Sequence, residues 1–436
     1  MCKTKSRQQK NILYFFLPLY LSIFLFCILS EPVYSPDTYS YLNAMPYRQM
    51  GYVVFFKVFT TIFGSHWDSA VIVVHTIFSL SAVHYFFLKV SKLFKLSLLL
   101  QLSILIILLF PFFPPLSIVN NLVSEGLGYG LYLLFISIGI EILFNNKQHY
   151  FKYYILVYLL LFSVRSQFMF STLIFLGTYF IMYRKQILRN KHLVSLILLS
   201  GVILIAGLSE RTYHKLKDGF FKPTPLGYTS ASTAPIYLSK KSDYKLIEDK
   251  NYKEIFIRSF DTLTNKDLLT KPAFSIEESY MFFHNNLPKI CNQTIRQQGV
   301  DYYFKNHRPN SWDIDKIVAY SFFETEAACK NFTKVLILSN LQQWLKLYYV
   351  NISYGFKSQL LLWLIVIIFF TSLIKSWITG NRDYLIIFLL SSLILSNAMF
   401  IAFASHSIQR YLFYNYALIF LLFISIYNLI RSEKKS

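Results

Sequence analysis

Long apolar runs separated by short polar connectors set the pattern of this chain. Several runs hold no charge over about 18 residues, the length a helix needs to cross roughly 30 Å of hydrocarbon. On that pattern, spans are expected at 11–30, 67–88, 96–113, 126–144, 192–209, 358–374, 384–404 and 411–430. Pro114 and Pro115 close the third of these, because a proline ring ends a helix interior. The stretch 52–63 is apolar apart from Lys57 and short for a crossing. It reads as an amphipathic helix lying in the interface. The 31 residues 153–183 are mostly apolar around Arg165, Ser166 and Gln167. That is too long for one comfortable pass and short for two. One hydrophilic segment, 210–357, interrupts the series and is long enough to fold alone. Within it, 334–349 reads as one amphipathic helix that re-approaches the membrane. The fold class that follows is an all-α polytopic membrane protein.

Charge decides the topology. The chain carries 43 basic and 22 acidic residues, a net +21. In a soluble protein that excess raises nucleic acid as a partner. Here much of it lies in short connectors, where basic residues orient spans, so the bilayer and not a nucleic acid is the expected partner. Arg184, Lys185, Arg189 and Lys191 stay on the cytoplasmic side only if 153–183 is a tight hairpin. The count is then about ten spans, with both termini inside and 210–357 outside. The opening MCKTKSRQQK before an apolar run resembles a signal peptide. No small-residue cleavage pattern follows it, so a retained signal-anchor is expected. Three regions result: an N-terminal transmembrane domain, 1–209, with a first external loop at 31–66; an external α or α+β domain, 210–357; and C-terminal spans, 358–436. A bacterial inner membrane is the expected location. Cys291 and Cys329 both fall in the hydrophilic domain, where a disulfide is open on compartment but not on geometry. No Cys or His spacing suggests zinc.

With that topology Asp37, Arg48, Glu125, Arg165, His406 and Arg410 all reach the same outer face, from separate parts of the chain. Each has an ordinary reading. Asp37 follows Ser35 and Pro36 and suits a helix start. Arg48 can snorkel, Glu125 complements a helix dipole, and Arg410 can anchor an interface. Arg165 stands apart, because an arginine flanked by apolar runs is costly in lipid and tends to be functional. His75 and His84 are nine residues apart, do not share a helix face, and are read as structural. Taken together, arginines and acids on one face suit an anionic, lipid-linked substrate. A guanidinium pairs with phosphate bidentately, and a nearby carboxylate activates a hydroxyl. No clustered acidic pair supports a metal, and no cofactor is expected.

These residues also carry a resemblance. SPDTYSYLNAMPYRQMGYVVFF in the first loop, Ser124-Glu125 at the mouth of the fourth span, SVRSQF at 163–168 and HSIQRYLFYNYALIF near the end follow one another in an order similar to the GT-C superfamily of membrane glycosyltransferases. That group includes protein O-mannosyltransferases and aminoarabinose transferases. The Arg-Pro usual at the mid-chain position is absent here, and 210–357 is hardly covered. The resemblance implies transfer of a sugar from a polyprenyl-phosphate donor to a glycan, lipid or protein acceptor outside the cytoplasm, with inversion. By it, Asp37 would be the general base. Arg165 and Arg410 would bind the lipid phosphate, and Arg48, Glu125, Gln167, His406 and Tyr411 would complete the substrate site. Two other readings stay open. One is a polymerase or ligase of O-antigen type using Arg258, Arg296 and Arg308; the other is a flippase or transporter of a lipid-linked glycan.

Overall fold

The computed structural model describes residues 2–307 and 309–433, with side chains from residue 16 onward except 190 and 191; Arg308 lies outside the described residues. Among them the secondary structure is helical, and the sole β feature is an isolated parallel bridge between Val33 and Asn121. Seven segments among the described residues are long and apolar enough to cross a membrane: Met50–Leu93, Glu125–Asn145, Ser166–Gln186, His192–Asp218, Gln359–Thr379, Arg382–Ala404 and Gln409–Glu433. Phe16–Leu29 and Leu98–Phe112 are shorter apolar helices. Their outward faces support the same conclusion. Leu360, Trp363, Ile367, Phe370 and Ile374 recur every three to four residues and are all exposed, a stripe that only lipid covers. The chain is a multi-pass membrane protein.

The chain forms two compact units. The first comprises 1–44, 49–166 and 423–436; the second comprises 45–48 and 167–422. In the first, the helices run α1 (Cys2–Leu29), α2 (Pro36–Leu42), α3 (Met50–Phe63), α4 (Trp67–Leu93), α5 (Leu98–Leu109), α6 (Glu125–Asn145) and α7 (Phe151–Val164). Helix α6 is its axis, packed against both α4 and α7. Gly126 and Gly130 permit the close approach: a Cβ at Gly130 would stand 2.6 Å from the Phe78 ring. Small residues let membrane helices pack backbone to backbone in this way. Helix α3 forms where the sequence places a helix, burying Tyr52, Val53 and Phe56 and exposing the apolar Val54, Val58 and Ile62, and it joins α4 in one apolar segment. Gly64, at φ +54°, turns it into α4.

The second unit holds α8 (Ser171–Tyr183), α9 (Asn190–Asp218), α10 (Gly227–Ala231), α11 (Thr233–Tyr237), α12 (Lys250–Asn265), α13 (Ile276–Ile290), α14 (Gln297–Asn306), α15 (Ile314–Ser339), α16 (Leu341–Phe356), α17 (Gln359–Thr379), α18 (Arg382–Ala404) and α19 (Gln409–Leu412); α20 (Tyr416–Glu433) leads out of it. The hydrophilic segment is all-α, and its own core gathers Tyr237, Phe256, Tyr280, Phe283 and Phe332. Two expectations change here, and the open question of the two cysteines is decided. The amphipathic stretch at 334–349 is not one helix: α15 ends at Ser339 and α16 begins at Leu341, because Asn340 leaves the helical region at φ −121°, ψ 33°. Helix α9 runs nine residues past Ser209, to Asp218. Its end is held by His214, which bonds Asp218 Oδ2 at 2.6 Å through Nδ1 and Thr224 Oγ1 at 3.0 Å through Nε2. Cys291 and Cys329 are free thiols buried in the core. Burial pushes the Cys329 thiol up to about 12, which leaves it unreactive. The stretch 153–183 is two helices, α7 and α8, interrupted at Arg165.

Candidate functional site

In the first unit two connectors build a polar cluster. The chain leaving α1 runs beside the chain entering α6. Val33 N–H donates to Asn120 O at 2.9 Å, and Leu122 N–H donates back to Val33 O at 3.1 Å. The buried Asn120 amide donates to Cys27 O at 2.7 Å and tethers the pair to the end of α1. This sets α2 against the start of α6. Helix α2 is short, and its capping box makes it start sharply: Ser35 Oγ accepts from Thr38 N–H, and Thr38 Oγ1 accepts from Ser35 N–H. The cap is therefore Ser35, not Asp37. Asp37 is half-buried in the first turn, one turn before Tyr41 and on the same face.

Tyr41 reaches into the cluster. Its hydroxyl donates to Ser124 Oγ at 3.3 Å. Arg165 Nη1 donates to the same Ser124 Oγ at 3.2 Å and lies 3.0 Å from Glu125 Oε1. The two charged side chains are only 8% and 2% exposed. Arg165 points here because α7 stops at Val164: its N–H closes the last turn on Leu161 O at 2.7 Å, and its own backbone is extended at φ −147°, ψ 97°. Helix α3 locks that turn. A Cβ at Gly51 would lie 2.3 Å from Ser163 Oγ, and Gln49 Nε2 donates to Ser166 Oγ at 3.1 Å. Below the pair, His75 is fully buried. Its ring stacks on Phe55 at 5.6 Å and bonds Tyr52 at 3.4 Å and Val119 O at 3.3 Å. His84 bonds Tyr20 at 3.1 Å. Both histidines are packing residues, as their spacing indicates.

A buried guanidinium held by a carboxylate and a hydroxyl is costly to desolvate, so it is weak evidence for stability. It is, however, a cation of fixed orientation in a low-dielectric setting, where attraction to an anion is strongest.

The remaining sequence-derived candidates belong to the second unit. Gln167 Nε2 donates to Asn397 Oδ1 at 3.3 Å, and Asn397 Nδ2 donates to Tyr411 O at 3.4 Å and to Asn415 Oδ1 at 3.1 Å. Gln167 and Tyr411 thus meet at one buried asparagine of α18. The Arg48 guanidinium lies 5.1 Å from the Tyr47 ring. Arg410 is half-buried on α19. His406 Nδ1 donates to His284 O at 2.9 Å, and the two rings are 4.6 Å apart. Burial, with His284 adding to it, holds His406 down to about 4, so the ring is neutral near neutral pH. Arg258 is a surface residue paired with Glu254 at 2.8 Å.

Sequence reasoning missed the hydroxyls of Tyr41 and Ser124, and the asparagines. Asn351 is the clearest case. Its oxygen accepts from Tyr280 and from Ser407 N–H, while its amide donates to Ala402 O and Ser405 O, all within 3.0 Å. An amide inside an apolar run is the signal that marks such positions. It also missed Glu141, at the far end of α6, which pairs with Lys89 at 2.8 Å and with Lys147. Among the described residues, no group of three or more His, Cys, Asp or Glu is placed to hold a metal ion. No family model, no curated protein and no solved structure matches the chain.

Proposed function

We propose that this protein is a membrane glycosyltransferase of GT-C type, with about ten passes, moving a sugar from a polyprenyl-phosphate donor to an acceptor at the outer face. The observation that supports this reading best is the buried Arg165–Glu125 pair, enclosed by Ser124 and Tyr41 and next to the helix that carries Asp37. A phosphate leaving group gains negative charge as the glycosidic bond breaks, and a fixed cation stabilises it most in that state. Arg165 takes that role, with Glu125 orienting it. Asp37 takes the proton of the acceptor hydroxyl as general base.

The test is transfer from a panel of radiolabelled polyprenyl-phosphate sugars in membranes, wild type beside Asp37→Asn. Label should move with the wild type and fall by at least about a hundredfold in the variant. Full activity in Asp37→Asn would remove the base assignment. One observation favours a second reading, a polymerase or ligase of lipid-linked glycans. Arg296 ends a π-helical turn, Cys291–Arg296, and its buried Nε has no hydrogen-bond partner among the described residues. Its guanidinium lies 4.6 Å from the Tyr47 ring. Such turns are frequent at functional sites. Under that reading Arg296→Ala, and not Asp37→Asn, abolishes transfer.

A further inference from the structure

One face of α15 forms the floor of an open groove of about 590 Å³ within the second unit. That volume lies in the range of small-molecule sites. Its lining is graded along the helix. Lys330 and Lys334 stand one turn apart at one end, and Ile337 and Leu338 follow at the other. Tyr228 walls the cationic end, with Lys330 Nζ 5.5 Å from its ring centroid. Phe403, the penultimate residue of the membrane-crossing α18, also lines the groove. Trp344 packs on Phe403 at 6.1 Å, and the Tyr348 hydroxyl donates to Met399 O at 3.0 Å. Aromatic side chains of this kind cluster where helices leave the hydrocarbon. The groove therefore adjoins the end of a membrane-crossing helix.

No carboxylate is within ion-pair distance of Lys330 or Lys334 among the described residues. The acid nearest to them along the helix, Glu326, is committed elsewhere: its oxygens accept from Tyr228 N–H, Thr229 N–H and the Thr229 hydroxyl at 2.6–2.8 Å. Asn331, between the lysines, has a buried side-chain oxygen with no hydrogen-bond partner among the described residues.

We infer that this groove binds one anionic lipid of the surrounding bilayer, its phosphate on Lys330 and Lys334 and its chain along Ile337, Leu338 and Phe403. The inference does not rest on the transferase reading, and it concerns residues outside that site. The two lysines supply the charge selectivity, and the apolar end separates a lipid from a free anion.

The experiment is lipid titration of the full chain in detergent, read by native mass spectrometry, with phosphatidylglycerol, phosphatidylcholine and inorganic phosphate as probes. Each lysine near an anionic headgroup is worth roughly a factor of five, so Lys330→Gln with Lys334→Gln should weaken phosphatidylglycerol roughly 25-fold and leave phosphatidylcholine unchanged. Equal phosphatidylglycerol affinity in wild type and double variant overturns the proposal, as does equal loss of both lipids. Leu338 is 67% exposed, so Leu338→Gln leaves the fold intact. It should weaken phosphatidylglycerol several-fold. No effect there, or displacement of the lipid by inorganic phosphate, would reduce the groove to a free-anion patch.

Discussion

The two ends of α6 hold the same residue type in different company. At one end Glu125 faces Arg165, and both are almost fully buried among hydroxyls. At the other, Glu141 is just as buried but faces two lysines that are 18% and 39% exposed. Lysines reach a buried acid by laying their stems along apolar surface and keeping the ammonium wet. Lys89 lies near the end of α4 and Lys147 in the connector after α6. The Glu141 end therefore looks like an anchor, with mobile partners and solvent at hand. The Glu125 end has neither: its cation is fixed by a helix terminus, a glycine contact and a shared serine. The same acid is structural where its partner is flexible and wet, and suited to chemistry where its partner is rigid and dry.

That contrast can be broken. The largest effect is expected for Arg165→Ala, which removes the guanidinium facing the buried Glu125 and should cost about 3–5 kcal/mol. Thermal unfolding in detergent measures it. Replacing both partners, Arg165→Met with Glu125→Leu, should restore most of that stability, since a well-packed apolar pair often matches a buried ion pair. Transfer activity should stay lost. A double variant that is both stable and active would make the Glu125 end as structural as the Glu141 end.

Glu141→Gln comes next, at about 1–2 kcal/mol, because both lysines relax into solvent once their partner is neutral. A loss equal to that of Arg165→Ala would erase the distinction. Smaller still is Lys147→Ala, within about 1 kcal/mol and shrinking further at high salt, since its ammonium is partly exposed. The Arg165 variants should be insensitive to salt.

Acid tests the contrast from the second unit, where burial is tolerated by neutrality instead of pairing. The folded state holds His406 at about 4, below the ordinary 6.5. A lowered histidine contributes stability above its unfolded value, and that stability is lost as pH falls from about 6.5 towards 4. His284 is also shifted downward, by burial and by Lys357. His406→Phe should flatten this acid-side decline in melting temperature; an unchanged profile would show that other groups carry it.

Much of the membrane architecture was legible in the chain, because a helix in lipid must satisfy its backbone internally and present apolar side chains over a fixed length. The runs that became α4, α6, α9, α17, α18 and α20 follow from that constraint. The break at Arg165 follows from the length of 153–183 and from keeping Arg184, Lys185, Arg189 and Lys191 on the cytoplasmic side. The apolar helix α3 follows in the same way, although its exposed Val54, Val58 and Ile62 make its outer face apolar as well. Asp37, Glu125 and Arg165 could be picked out in the sequence as charges next to apolar runs. Their relationships could not. Nothing local tells Arg165 that Ser124 and Glu125, forty residues earlier, are its partners. That pairing follows from the Val33–Asn121 bridge and from Gly51 seating α3 on the end of α7. The sequence likewise named Cys291 and Cys329 without saying that they stay apart as thiols. Lys330 and Lys334 drew no notice in the sequence, because the groove they line exists only once Tyr228 and Phe403 pack beside them. Composition and periodicity decide where a segment lives, since solvent acts on each residue alone. Which buried polar groups meet depends on packing between distant segments, and only the tertiary structure decided that.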